Sequence, residues 1–220
     1  GFFTFKSYYE TKEIKFDRKQ LFGIDLDILK GKTFGNHLLH FYKNKDAINL
    51  NNQYCNRYYQ KFPFSTTLLI LSLYDFDLEN FTDEQLKILL AIDSSFKGYY
   101  TDNERFKKVY ISWLDKLDIR FLEDRILKHM TIENFRDIQR KYNLNGIIKV
   151  DDRGYLQTNI KLDELSRVFN DKIELPQHKF KLKHTYTYKI INPIYEAIPD
   201  RKYIISMAWT EKNKLRLTLK

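Results

Sequence analysis

The sequence predicts an α+β fold with a strand-rich N-terminal part, central helices and a C-terminal winged-helix module. Three observations predict it. Short aromatic, alternating runs fill residues 1–60. From Thr82 the apolar residues switch to three- and four-residue steps. Residues 131–220 then parse as helix, strand, helix, helix and hairpin, the element order of a winged helix. The expected division is 1–100 as an α+β domain of unknown role, 101–130 as a connecting helix and 131–220 as a DNA-binding domain.

In the first part, Phe2–Tyr9, Glu13–Phe16 and Gly23–Ile28 carry the Phe, Tyr and Ile residues that favour a half-buried pleated surface. Asn36–Tyr42 fits a strand or a helical turn. The Asn-rich stretch 49–56 fits a loop or a short helix. The apolar segment Leu68–Leu73 has strand or short-core length. Thr82 and Gln85 have capping-box spacing, and Leu86, Leu89 and Leu90 share one face of the helix after them. Gly98 is expected to break it. A longer helix starts near Asp102, with Phe106, Val109, Tyr110, Trp113 and Leu117 as its inner stripe, and runs to about Leu127.

Thr131 then caps a helix over Ile132–Tyr142, with Ile132, Phe135 and Ile138 inward. Ile147–Val150 and Tyr155–Ile160 flank the tight-turn sequence Asp151-Asp152-Arg153-Gly154. Leu162–Phe169 reads as a short helix. Thr185–Ile198 reads as a second helix, kinked or begun at Pro193. Lys202–Trp209 and Leu215–Leu219 close the chain as a hairpin.

Charge points to a function. The net charge is +9, and residues 171–220 alone hold 11 Lys and Arg against 5 Asp and Glu, or +6. Residues 1–80 contribute +2 and 81–170 contribute +1. Such clustering is what a phosphate-binding face requires. The expected DNA contacts are Lys179, Lys181, Lys183, His184, Thr185, Tyr186, Thr187 and Lys189 around the second helix, and Lys212, Asn213, Lys214 and Arg216 on the wing. Lysines at 179, 181 and 183 equally fit the wet side of an edge strand, where they block aggregation.

The stretch 159–220 resembles the C-terminal winged helix of the plasmid replication initiators that bind iteron repeats. The residues carrying the resemblance are Ile160-Lys161-Leu162-Asp163-Glu164-Leu165, Ile190-Ile191-Asn192-Pro193-Ile194-Tyr195-Glu196-Ala197-Ile198 and Lys212-Asn213-Lys214-Leu215-Arg216-Leu217. The family normally has a second winged helix upstream, and no wing for it is traceable here. The resemblance implies a basic recognition helix, a basic wing and a role in replication initiation.

The reading is therefore a cytoplasmic, sequence-specific binder of double-stranded DNA, acting as a plasmid or phage replication initiator or transcription regulator. No cofactor, metal or membrane partner is expected; a homodimer or a host protein is a further candidate partner. A composition rich in Lys, Asn, Ile, Tyr and Phe is what AT-rich coding DNA produces. The single cysteine, Cys55, excludes an intrachain disulfide and a cysteine zinc cluster. No apolar run approaches the ~20 residues of a membrane helix. Two other readings stay open. One is a metal-dependent nuclease, for which Asp200, Glu211 and Lys214 are a loose acid–lysine set and Glu211→Ala the test. The other is a phage or mobile-element protein that inhibits a host protein. His37-x-x-His40 has a ligand-like spacing but lacks a third ligand nearby in sequence, so a solvated or core pair is expected.

Overall fold

The computed structural model describes residues 1–14, 22–39, 43–55, 58–211 and 213–220. Of the expected segments Glu13–Phe16 and Asn36–Tyr42, residues 15–16 and 40–42 lie outside the described residues. Helices and strands are mixed, and the fold is α+β. The chain divides into two units, and the division differs from the one expected from sequence. The first unit comprises residues 1–61, 150–156 and 177–220, and the second 62–149 and 157–176. The N-terminal strands and the C-terminal hairpin thus belong together. Composition along the chain does not reveal pairing between segments so far apart in sequence.

The first unit is built from three-stranded sheets. β1 (Phe2–Phe3) pairs antiparallel with β2 (Ser7–Glu10). β3 (Gly23–Ile24), β4 (Thr33–Phe34) and β5 (Ala47–Ile48) form a small parallel sheet. The Asn-rich stretch makes a short helix, α1 (Leu50–Tyr54), whose first turn is capped by the Asn49 side chain accepting from the Asn51 and Asn52 N–H groups.

The second unit is mainly helical. Leu68–Leu73, expected at strand length, lies inside helix α2 (Thr66–Leu73), because Ser65 caps it through the Leu68 N–H. α3 (Asp83–Ala91) carries the full Thr82–Gln85 capping box. It ends before Gly98, at left-handed Asp93 and Ser94. Gly98 serves packing instead: a Cβ there would lie 2.5 Å from Tyr110 Cδ2. The long helix is split into α4 (Glu104–Lys116) and α5 (Phe121–Arg125) around left-handed Asp118. Of its expected stripe, Tyr110 and Trp113 are buried while Phe106 is 36% exposed. α6 (Ile132–Tyr142) starts at Thr131 and ends at left-handed Asn143, which tolerates that conformation. The core gathers Leu86, Leu90, Phe96, Tyr110, Leu114, Ile126 and Phe135, each within 1% of complete burial.

The Asp151–Gly154 turn joins β6 (Lys149–Val150) to β7 (Leu156–Gln157), and the Asp151 carboxylate accepts from the Arg153 and Tyr155 N–H groups. α7 (Leu162–Phe169) lies where the apolar spacing predicted it.

The largest departure from expectation falls just after α7. Residues 181–191 are two strands, β8 (Lys181–Thr185) and β9 (Thr187–Ile191), where a recognition helix was expected over 185–198. Tyr186-Thr187-Tyr188-Lys189-Ile190-Ile191 is a run of aromatic and β-branched residues that suits a pleated surface. Pro193 limits the next segment to one turn, closed by Tyr195 and Glu196 N–H groups on the Asn192 carbonyl. The helix order that defines a winged helix is therefore absent from 177–220.

The final hairpin forms as expected, from β10 (Ile204–Glu211) and β11 (Lys214–Leu219). β11 is central, paired with β10 on one side and β9 on the other. Its Leu215, Leu217 and Leu219 alternate inward and meet Leu29, Leu39, Ile191, Ile204 and Met207. The outer side of β10 is covered: Leu29 N–H donates to the Ile205 carbonyl, Met207 N–H to Asp27 and Trp209 N–H to Leu38.

Candidate nucleic-acid interface

β8 is an edge strand. It completes a sheet in the order β1-β2-β8, with Ser7 opposite Thr185, Tyr8 opposite His184, Tyr9 opposite Leu182 and Glu10 opposite Lys181. All five of its residues are exposed. The alternating lysines thus sit on an edge strand, one of the two placements their spacing allowed.

The approach to β8 is fixed at Lys179 and Phe180. The Lys179 N–H donates to Glu13 Oε1 at 3.2 Å, and the Phe180 N–H to the Gly154 carbonyl at 2.7 Å. Lys183 Nζ lies 3.6 Å from Glu10 Oε2, an exposed pair that solvent largely screens. The Tyr186 N–H donates to the Lys6 carbonyl at 2.7 Å where β8 hands over to β9. Burial raises the Tyr186 hydroxyl above its ordinary pKa. Thr187 and Lys189 are exposed on β9.

The structure brings Lys181, Lys183, His184, Thr185 and Tyr186 into one continuous segment but leaves the hairpin tip apart. Thr187 faces Leu219 and Ile191 faces Leu215, so Asn213 and Lys214 lie beyond the Ile191 end of β9. Four residue steps separate the two ends, roughly 13 Å at strand rise. Lys214 is held by Glu211 at 3.0 Å. Arg216 sits over the Phe5 ring, its guanidinium carbon 5.6 Å from the centroid. Lys212 lies outside the described residues.

The acid–lysine set does not assemble. Asp200 precedes β10 and Glu211 ends it, and Ile204 to Glu211 alone spans roughly 23 Å of strand. Asp200 pairs with Lys202 at 3.4 Å. Among the described residues no group of three His, Cys, Asp or Glu is placed to hold a metal ion. His40 lies outside them. His37 instead has a carboxylate partner, its Nδ1 2.6 Å from Asp27 Oδ2.

The Asp27 side chain is only 7% exposed, and desolvation raises its pKa above the ordinary value, against the opposing hydrogen bond and charge of His37. The fold therefore holds this proton more tightly than the unfolded chain. Its stabilising contribution is complete below the ordinary carboxylate value of 3.8 and is lost as pH rises through the raised one. Asp27→Asn is expected to remove that descent from a plot of urea midpoint against pH. A variant profile that still parallels the native one above pH 3.8 would contradict the assignment.

A second cationic feature escaped the sequence reading. A cleft of about 970 Å³ in the first unit is lined by Lys30, Lys43, Lys45, Arg201, Lys202 and Lys220, against two acids, Asp46 and Asp200. Buried Asn44 shapes its wall, its Nδ2 donating to the Ile28 and Gly31 carbonyls at 2.9 and 2.8 Å. The sequence signal was present at Lys30, Lys32, Lys43 and Lys45, but acids elsewhere in residues 1–80 diluted it to +2.

Among the described residues no helix is long and apolar enough to cross a membrane. No family model matches this chain, and no curated protein or solved structure matches it either.

Proposed function

We propose that this chain binds double-stranded DNA through the exposed β8 strand and the start of β9. One observation carries the reading: five consecutive exposed residues on β8, including Lys181, Lys183 and Thr185, with Lys179 before them and Lys189 after. Lysines neutralise phosphates and set the register, while the Thr185 and Thr187 hydroxyls suit phosphate oxygens or base edges. Strands enter DNA grooves in several known readers, so the loss of the expected helix moves the contact to a strand and leaves the chemistry intact. The act is binding. A role in replication initiation or transcription regulation adds the requirement that one site be selected. Enrichment of a single motif from random duplexes is the result that role predicts.

Replacing Lys181 and Lys183 together with Ala is expected to weaken binding to every duplex. It is also expected to lower the slope of log affinity against log salt by roughly 1.8, since each neutralised phosphate contributes about 0.9. Glu10→Gln removes the carboxylate beside Lys183 and is expected to act in the opposite direction. Unchanged affinity and slope in the double variant would show that the duplex lies elsewhere.

A further inference from the structure

The sheet that carries β8 also carries a row of rings. Phe3 is in register with Tyr8, and Tyr8 with His184; Tyr186 lies two residues further on. Successive ring centroids are 4.3, 6.3 and 6.2 Å apart, with interplanar angles of 28°, 10° and 27°. Four rings from three strands and the linking residue thus form a row in which each plane is tilted less than 30° from the next. His184 is exposed, and Phe3, Tyr8 and Tyr186 are half-buried, with Gly1 lying against the hydroxyl end of Tyr8.

Cross-strand aromatic pairs stabilise sheets, and that accounts for Phe3 against Tyr8. It does not account for an exposed imidazole continuing the row along a lysine-bearing edge. Every nucleobase has a π face, and an aromatic row beside a cationic groove is how proteins hold unpaired strands.

The groove is present at one end of the row. Phe3, the first ring, also lines the cationic cleft. The cleft's apolar lining of Ile28, Leu29, Ile204 and Ile205 is joined by six cations and only two acids, of which Asp200 is paired with Lys202. Its volume suits a group of nucleotide size. At the other end, Lys181 and Lys183 precede His184 on the same strand, and Glu10 is the acid beside Lys183.

We propose that this surface binds unpaired DNA. The bases lie on the row Phe3–Tyr8–His184–Tyr186, and the phosphates lead into the cleft lined by Lys30, Lys43 and Lys45. The inference rests on the nucleic-acid reading above and adds the strandedness of the substrate. DNA melted or extended beyond a duplex engages both features, the β8 lysines holding the paired part and the rings the unpaired part.

The test uses the whole chain, a labelled oligo-dT and a duplex of equal length, with fluorescence anisotropy read over a salt series. Tyr8→Leu with His184→Ala is expected to weaken oligo-dT binding about tenfold or more, and Tyr8→Leu alone, which leaves every β8 residue in place, to keep duplex affinity within about twofold. Tyr8→Phe with His184→Trp keeps the π faces and is expected to retain oligo-dT binding, which separates stacking from loss of fold. Lys30→Ala with Lys45→Ala is expected to lower the single-strand salt slope by about 1.4. If oligo-dT binding survives Tyr8→Leu with His184→Ala, or if duplex is bound and oligo-dT is not, the inference is overturned and the duplex reading stands. Retention of neither DNA overturns both.

Discussion

Phe135→Ala is expected to cost the second unit about 3–5 kcal/mol, the range for deleting a fully buried aromatic ring. Phe135 has no exposed surface and lies parallel to Phe96, with centroids 4.5 Å apart and planes 8° apart. Tyr100 closes the third side at 6.1 Å. The walls of the resulting cavity belong to the segment after α3 and to α6, whose start is fixed by a capping box, so they collapse poorly onto the space. A domain's whole stability is about 5–15 kcal/mol, so the loss is a large share of it. Each unit holds one tryptophan, Trp113 in the second and Trp209 in the first. A Trp209→Phe background makes Trp113 emission in urea the readout. A midpoint unmoved by Phe135→Ala would remove that ring from the core.

Leu217→Ala is expected to cost the first unit about 2–5 kcal/mol. Leu217 is fully buried at the centre of β11, between Met207 on β10 and Lys189 on β9. Its neighbours come from residues 29–39 as well as from the hairpin, so the cavity opens where three distant stretches meet. Trp209 emission in a Trp113→Phe background reports on this unit. An effect under about 1 kcal/mol would mean that the site refills on truncation.

Local signals were readable in the sequence. Thr82 with Gln85 and Thr131 before the Phe135 stripe located α3 and α6, because a cap and an apolar face act within one or two turns. Leu215, Leu217 and Leu219 gave β11 by alternation alone. Signals that depend on distant partners were not readable. Ile190-Ile191-Asn192-Pro193 suits a helix face as well as a strand, and pairing with β11 decides for the strand. Leu68–Leu73 suits either state, and one serine cap decides for the helix.

The candidate site divides in the same way. The lysines of β8 were legible as a charge cluster, and their edge placement was one of two readings of a period of two. The aromatic row was not legible, because Phe3, Tyr8 and His184 become neighbours only when the first ten residues pair with residues 181–185. The place of Arg216 was not legible for a related reason: the Phe5 ring beneath its guanidinium lies more than two hundred positions earlier.

The first unit is assembled from both flanks of the chain around an inserted helical segment, and this has a consequence for synthesis. Residues 62–176 are translated before β10 and β11, so the helices can settle first. The middle strand of the β10-β11-β9 sheet is translated after both of its neighbours. A nascent polypeptide that stalls before Lys214 therefore carries its lysine-rich segment with no β11 to dock β9 against.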